Sequence, residues 1–198
     1  MKQKKIAGID YSLTSPAICI YTEEEDGGYF DFDRCMLYYL SNNEKQQQLA
    51  AGCGIGNIRA ELYPKWNTQE ERHDVLSSWV LELIQGCSEV YLEGYAYGVT
   101  SNRAPIYENT SVLKHKMWKR KMSFTNYPPT VIKKFATGKG NADKPKMTHA
   151  FLEEYPHAKA WCPVFFPRTA KTASFAKSPL SDIADAYWIA RHAADSGS

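Results

Sequence analysis

Apolar positions along the chain predict strands in its first part and helices mainly in its second. Residues 5–10 and 17–22 form short apolar runs, and residues 29–40 alternate between apolar and polar side chains. These patterns predict three strands, and the turn residues around Ser15 and the Gly27-Gly28 pair predict that neighbours run antiparallel. The polar segment 41–65 has no clear period, so we interpret it as a long excursion rather than a linker between domains.

The remaining patterns alternate between helices and short strands. Thr68-Gln69-Glu70-Glu71 has the form of a capping box, and apolar residues then recur at helical spacing up to Gly86. Short apolar strands are predicted at 89–93 and 124–127, and further helices at 109–120, 130–135, 146–155 and 180–194. Strands followed by alternating helices and strands predict an α/β fold with a mixed sheet covered by helices.

The composition is typical of a globular protein that buries its own core. Of the 198 residues, 43% are hydrophobic and 23% are charged, and we expect a single domain over 1–198. The five cysteines are scattered without a Cys-x-x-Cys pair, which favours reduced thiols over a disulfide framework or zinc knuckle. No segment approaches the roughly eighteen apolar residues of a membrane span. We therefore expect a cytoplasmic protein, or one in the host-cell cytoplasm if a phage encodes it.

Basic residues are concentrated in the second half of the chain, although the net charge is only +2. Lysines flank a Gly-Lys-Gly turn at 138–140, where glycine allows the backbone to approach a phosphate closely. A solvated lysine-rich loop is the alternative interpretation. The candidate DNA-binding lysines are Lys114, Lys116, Lys119, Lys133, Lys139, Lys144 and Lys146.

Four acidic residues stand at positions suited to a shared site. Asp10 and Glu93 each end an apolar strand, while Asp182 and Asp185 lie at i and i+3 of an otherwise apolar helix and share one face. Each has a simpler interpretation as a turn, capping or surface residue. Together the four carboxylates favour a site for hard cations such as Mg²⁺, which prefer oxygen ligands and retain contacts to phosphate. Two ions roughly 4 Å apart would support phosphodiester hydrolysis, so the set favours a metallonuclease.

Several of these motifs occur in an order that resembles the RuvC family of Holliday junction resolvases, within the ribonuclease H-like superfamily. The motifs are Gly8-Ile-Asp-Tyr-Ser12, Leu92-Glu93-Gly94, Val131-Ile-Lys133, Gly138-Lys-Gly-Asn-Ala-Asp-Lys144 and Asp182-Ile-Ala-Asp185-Ala186. By position the match spans nearly the whole chain, although only these motifs are specific. The resemblance implies an RNase H-like mixed sheet with an antiparallel three-strand start, followed by parallel strands, and flanking helices.

The resemblance also implies an activity, a cofactor and partners. A member of this family would nick four-way DNA junctions symmetrically as a homodimer, using Mg²⁺ or Mn²⁺, with two ions in each active site. By this resemblance Asp10, Glu93, Asp182 and Asp185 bind the metal, and Lys133 and Lys144 lie near the scissile phosphate. The helix beginning near Asn109 is a candidate dimer interface.

The chain departs from the family pattern at the residues that follow Glu93. Bacterial members carry an aromatic residue three positions after this glutamate, which wedges into the junction, whereas this chain has Ala96. The flanking Tyr95 and Tyr97 are candidate replacements and candidate DNA-binding residues. The segments 41–65 and 157–177 also look like elaborations, closer to viral or phage relatives.

Two other classes of protein are alternatives to a nuclease. An actin-like or sugar-kinase-like ATPase also begins with a Gly-Ile-Asp strand and a hairpin, but the chain is short for that fold, and 52–56 is a weak phosphate-loop candidate. A catalytically silent DNA-binding module would have no use for clustered carboxylates that repel one another. Among nucleases, a broader flap or branched-DNA enzyme remains open.

Overall fold

The computed structural model describes residues 3–25, 28–42, 57–94, 104–161 and 177–197. Within them no helix is both long and apolar enough to cross a membrane. Six strands are present: β1 Lys5–Asp10, β2 Ala17–Thr22, β3 Cys35–Ser41, β4 Ile58–Leu62, β5 Glu89–Glu93 and β6 Thr125–Tyr127. The α-helices are α1 Gln69–Leu83, α2 Ala104–Lys119, α3 Pro129–Thr137, α4 Lys144–Glu154 and α5 Leu180–Ser196. Short 3-10 helices span Phe32–Arg34 and Pro156–Trp161.

The strands form one mixed sheet in the order β4-β3-β2-β1-β5-β6. β1, β2 and β3 are antiparallel neighbours, whereas β5 runs parallel to β1 and β6 parallel to β5. β4 adds a parallel partner outside β3. The predicted α/β class, with an antiparallel three-strand start, parallel strands and flanking helices, is confirmed.

Helices cover the two faces of the sheet and enclose separate hydrophobic cores. Because successive strand residues point to opposite faces, Ile6 packs with α5 while Ile9 packs with α1 and α2. The first core contains Ile183 and Tyr187 from α5, together with side chains from α3 and α4. We call the side of the sheet covered by α3, α4 and α5 the α5 face.

Gly8 allows α5 to cross β1 at backbone contact. A Cβ atom at this position would lie 2.3 Å from the backbone nitrogen of Ala190 and 2.6 Å from the carbonyl oxygen of Ala186. Glycine is normally unfavourable inside a strand and often marks a place where another segment of backbone approaches closely. The glycine therefore determines how near the middle of α5 comes to β1.

Beyond the first third of the chain the predicted elements agree with the structure, except that the helix predicted over 109–120 begins at Ala104. The third strand was expected over 29–40, but it begins at Cys35 and is preceded by the 3-10 helix Phe32–Arg34. The side chain of Asp31 caps that turn by accepting a hydrogen bond from the backbone of Asp33. β4 lies inside the segment predicted to be an irregular excursion, so that interpretation was wrong for 58–62.

Candidate active site

The carboxylates of Asp10 and Glu93 leave the sheet at the same edge. Each is the last residue of its strand, and the parallel register places Ile9 of β1 opposite Leu92 of β5. Alternation along the strands puts both acids on the α5 face, the side that also receives Ile6 and Tyr91. The carboxylates of Asp10 and Glu93 therefore lie next to each other, although their strands are far apart in sequence.

The N-terminal turns of α5 bring two further carboxylates to this edge. Asp182 lies in the first turn of the helix and is only 3% exposed, and Asp185 follows one turn later on the same face. The positive end of the helix dipole stabilises negative charge at this position. The contact at Gly8 places these helical turns close to Asp10.

Lys144 binds both aspartates of α5. Its Nζ lies 2.8 Å from Oδ1 of Asp182 and 3.7 Å from Oδ2 of Asp185. Lys144 is the first residue of α4, and Asp143 caps this helix by accepting a hydrogen bond from the backbone nitrogen of Lys146. The lysine side chain is 56% exposed and that of Asp182 is 4% exposed, so the ammonium joins a buried carboxylate to the solvent.

Burial raises the pKa values of Asp10, Asp185 and Glu93, and repulsion from neighbouring carboxylates raises those of Asp10 and Asp185 further. For Asp10, burial raises the pKa well above its usual value, and the charges of Asp185, Asp182 and Glu93 raise it further. Burial also raises the pKa of Asp185, to about 7, against the lowering effect of Lys144. Loss of hydration through burial of its carboxyl group raises the pKa of Glu93, against the charges of Lys133 and Lys144, although part of the residue keeps contact with solvent. The carboxylates therefore form one electrostatically coupled group.

Lys133 on α3 also acts on this group. Its positive charge lowers the pKa values of Glu93 and Asp185, which places it within electrostatic range of both. The structure thus brings together the six residues predicted to be catalytic, Asp10, Glu93, Asp182, Asp185, Lys133 and Lys144. Their chemical roles remain predictions.

A buried hydrogen bond supports the end of β1 from the opposite face of the sheet. Tyr11, next to Asp10, donates its hydroxyl hydrogen to Oδ1 of Asn109 on α2 over 3.1 Å. Tyr11 is 8% exposed and Asn109 is fully buried. This bond anchors the backbone that carries Asp10 to a helix that does not itself contribute an acid.

The other predicted DNA-binding residues are not all near the acids. Lys139 and Lys146 line one groove of about 550 Å³ between α3 and α4. Lys114, Lys116 and Lys119 lie on α2, whose buried residues pack on the face opposite the acids, and Lys116 is paired with Asp74 at 2.7 Å. Tyr95, Tyr97 and the glycine-rich segment 52–56 lie outside the described residues. DNA binding by these lysines and tyrosines stays a prediction, and segment 52–56 was only a weak phosphate-loop candidate for the ATPase alternative.

The oxygen donors of the site fit a hard divalent cation. Oδ2 of Asp182 is buried without a hydrogen-bond partner, which is costly unless a cation or another donor satisfies it. As the side chains stand, no three His, Cys, Asp or Glu residues in the described ranges converge closely enough to hold an ion. Lys144 bridges two of the donors, so an ion between Asp182 and Asp185 requires its ammonium to move.

Sequence reasoning assigned no role to Gly8, although it lies within one of the quoted motifs. The available signal was a glycine two residues before an acid in an otherwise apolar strand. That signal indicates a close backbone approach, but it does not identify the approaching element. Only the position of α5 shows that the glycine positions the carboxylates.

The chain matches no protein-family model and no curated protein. Among solved structures it is similar to Thermus thermophilus RuvC, with 16% identity over 98% of this chain and 95% of that chain, at a TM-score of 0.56. It is also similar to T. thermophilus RuvC in complex with a Holliday junction substrate, with 16% identity, 98% and 94% coverage and a TM-score of 0.59. The likeness covers the whole arrangement of sheet and helices. This chain therefore has a RuvC-like fold of the RNase H type.

Proposed function

We propose that the protein is a metal-dependent endonuclease that hydrolyses phosphodiester bonds in branched DNA, with a four-way junction as its preferred substrate. The observation that carries this proposal is the coupled group of carboxylates from β1, β5 and α5, with Lys144 and Lys133 beside it. Three elements distant in sequence converge there. The similarity to a RuvC bound to a Holliday junction substrate supports branched DNA as the ligand.

Asp10, Glu93, Asp182 and Asp185 are the residues that would hold the metal, as Mg²⁺ or Mn²⁺. When bound, two such ions supply charge that stabilises the attacking and leaving oxygens of a phosphodiester. The protein residues hold the oxygen donors at one edge of the sheet. Burial of Asp182 keeps its carboxylate in one orientation, while the exposed side of Lys144 is available to a phosphate.

The same geometry disfavours a catalytically silent module. Buried carboxylates without a compensating cation reduce stability, and Lys144 and Lys133 only partly offset the repulsion on Asp10 and Asp185. A protein that only bound DNA would gain nothing from this arrangement. The RuvC-like fold likewise accounts for the Gly-Ile-Asp strand and hairpin without an ATPase.

A cleavage assay on three substrates tests the proposed function. The protein is incubated with a four-way junction, a flap and a linear duplex, each in Mg²⁺, in Mn²⁺ and in EDTA, with Asp185→Asn as the matched inactive variant. We expect paired nicks in the junction with either metal and no cleavage in EDTA. Equal cleavage of the junction and the flap would identify the broader branched-DNA nuclease instead. Absence of cleavage in all metal conditions would contradict the proposed function.

Metal binding is expected to tighten as the pH rises through about 7. The pKa of Asp185 is raised to about 7 and that of Asp10 is also raised, so both carboxyls are protonated more often in mildly acidic solution. A metal must displace those protons, and each proton released strengthens binding by up to about tenfold per pH unit. Calorimetric titration with Mn²⁺ at pH 5.5 and pH 8 measures this. A dissociation constant that is the same at both values would contradict it.

Replacement of Lys144 by alanine is expected to lower the single-turnover cleavage rate about a hundredfold at saturating junction. The ammonium stands between the buried Asp182 and the solvent, where it can neutralise charge that develops on a phosphate. We expect a similar effect, with the same readout, for Lys133→Ala. The matched control is Lys146→Ala, which removes an exposed lysine of the same helix that forms a salt bridge with Asp143. A wild-type rate for Lys144→Ala at saturating DNA would show that the residue only positions the substrate.

We also propose that the active form is a two-fold homodimer, because paired nicks in a four-way junction require two active sites. The helix α2 is the candidate interface: Trp118 is 70% exposed and Ile106 is 43% exposed on it. Sedimentation should give a dimer for the unchanged protein and a shift toward monomer for Trp118→Glu. A monomer that still produces paired nicks would contradict this assembly.

A further inference from the structure

A second polar cavity lies on the same edge of the sheet as the acids. It has a volume of about 420 Å³ and is lined by residues around Thr14, Lys65, Trp66 and Arg72. We call it the Trp66 cavity. The pairing register aligns Asp10 with Ala17, Tyr39 and Ala60 across β1, β2, β3 and β4. The chain segments that follow β3 and β4 therefore emerge on the edge where β1 ends.

The wall of this cavity is bonded to the loop that follows Asp10. Leu13, three residues after Asp10, accepts a hydrogen bond from Nη2 of Arg72 over 2.8 Å and another from the hydroxyl of Tyr63. Nε of Arg72 donates to the Tyr63 hydroxyl over 3.0 Å. Thr14, next in the chain, lines the cavity itself. The cavity and the end of β1 are thus held as one unit.

The cavity is positively charged. Among the described residues that line it, Lys65 and Arg72 are cations and none is a carboxylate, and within the described part of the chain neither cation forms a salt bridge. Glu71, one of two acids in the first turn of α1, accepts hydrogen bonds from the backbone and side-chain nitrogens of Asn67, at 2.7 and 3.0 Å. It is therefore committed to capping the helix. An anion is the ligand that this charge distribution suits.

An aromatic ring lies beside the two cations. The guanidinium carbon of Arg72 lies 4.9 Å from the ring centroid of Trp66, and the indole is still 37% exposed. An exposed indole offers a surface on which a base can stack, and the cations offer contacts for its phosphate. Amide side chains at Asn42 and Asn67 add hydrogen-bonding groups. The cavity therefore has groups suited to both the base and the phosphate of a nucleotide.

We propose that the Trp66 cavity binds one unpaired nucleotide of the branched DNA, stacked on Trp66 with its phosphate held by Lys65 and Arg72. β4 lies three strand spacings from β1, or about 14 Å, which corresponds to about four nucleotides at the rise of a DNA strand. A nucleotide in the cavity would therefore belong to a part of the DNA strand a few nucleotides away from the bond at the acids. This inference rests on the proposed function, because it assigns a second contact on the same substrate.

Junction binding measured in EDTA tests the cavity without cleavage. We expect Trp66→Ala to weaken the affinity about tenfold, the loss typical of one stacked base, and Trp66→Phe to weaken it about twofold. Lys65→Ala should flatten the dependence of log affinity on log salt by about one unit. Quenching of tryptophan fluorescence on DNA binding should decrease in Trp66→Phe.

Two controls come from the opposite edge of the sheet. Lys5→Ala removes an exposed lysine at the start of β1, and Tyr29→Ala removes an aromatic side chain that is 99% exposed. Neither should change junction affinity. The urea midpoint of each variant checks that it folds, and Trp66→Phe retains a ring if Trp66→Ala is unstable.

The outcomes separate the cavity from the proposed function. If the unchanged protein binds and cleaves the junction, but the Trp66 and Lys65 variants keep its affinity, salt dependence and quenching, the cavity proposal is overturned and the function stands. If the variants lose as much affinity for linear duplex as for the junction, the cavity contacts paired DNA. The proposal that it binds an unpaired nucleotide is then wrong. If the unchanged protein binds no branched DNA, both proposals fall.

Discussion

Replacing Asp10 by asparagine is expected to slow junction cleavage about a thousandfold or more while making the metal-free protein more stable. The loss of activity follows because the substitution puts a neutral amide where the carboxylate contributes charge to the proposed metal site. Junction affinity should change little, since this residue makes no proposed contact with DNA. Single-turnover kinetics and equilibrium binding measure the two effects separately.

The gain in stability has a defined dependence on pH. Burial and the charges of Asp185, Asp182 and Glu93 raise the folded-state pKa of Asp10 above its unfolded value. Ionising this group therefore destabilises the folded protein as the pH rises through the folded-state pKa. We expect Asp10→Asn to raise the free energy of unfolding at pH 8 and to have little effect near pH 4. Lower stability of the variant at pH 8 without metal would contradict the coupled carboxylate group.

A methyl group at Gly8 is expected to cost about 3 kcal/mol of stability or more and to abolish cleavage. In Gly8→Ala the new Cβ would lie 2.3 Å from the backbone nitrogen of Ala190 and 2.9 Å from its Cα. Backbone atoms of a packed helix cannot move aside as a flexible side chain can. The helix α5 must shift away from β1, and Asp182 and Asp185 shift with it.

Gly28→Ala is the matched control for this substitution. Its Cβ would approach the carboxylate oxygen of Glu24, the end of a flexible side chain, at 2.7 Å. That side chain can rotate away, so the free energy of unfolding should stay within about 0.5 kcal/mol of the wild type. Urea unfolding of both variants makes the comparison. Equal stability of the two would show that α5 does not depend on contact with Gly8.

The sequence identified elements whose pattern is local. The capping box at 68–71 and the helical spacing behind it predicted α1, and the structure shows Thr68 capping that helix. Apolar runs likewise predicted β1 and β2, which are buried on both faces, and β5, where buried residues alternate with partly exposed ones. Asp10 and Glu93 could also be identified from the sequence, because each ends an apolar run.

β4 was missed although Ile58-Arg-Ala-Glu-Leu62 alternates between apolar and polar residues, because this run is short and lies inside a long polar segment. Of Ile58–Leu62 only Ile58 is buried, and Arg59, Glu61 and Leu62 are exposed or partly exposed at the edge of the sheet. The segment becomes a strand by pairing with β3, which supplies backbone hydrogen bonds that no local signal reveals. The Trp66 cavity, which lies next to β4, could therefore not be predicted from the sequence.

By itself the sequence determined the order of most elements, the class of the fold and the candidate acids and lysines of the site. These follow from periodicity and residue type, which act over one or two turns of helix or one strand. Which lysines reach the acids was decided only by tertiary structure: Lys144 lies 38 residues from Asp182, whereas Lys116 is directed to Asp74 on the opposite face. The approach of α5 to Gly8 was likewise decided only by the tertiary structure. Contacts between distant segments depend on how the two faces of the sheet are covered, and no local pattern of residues records that.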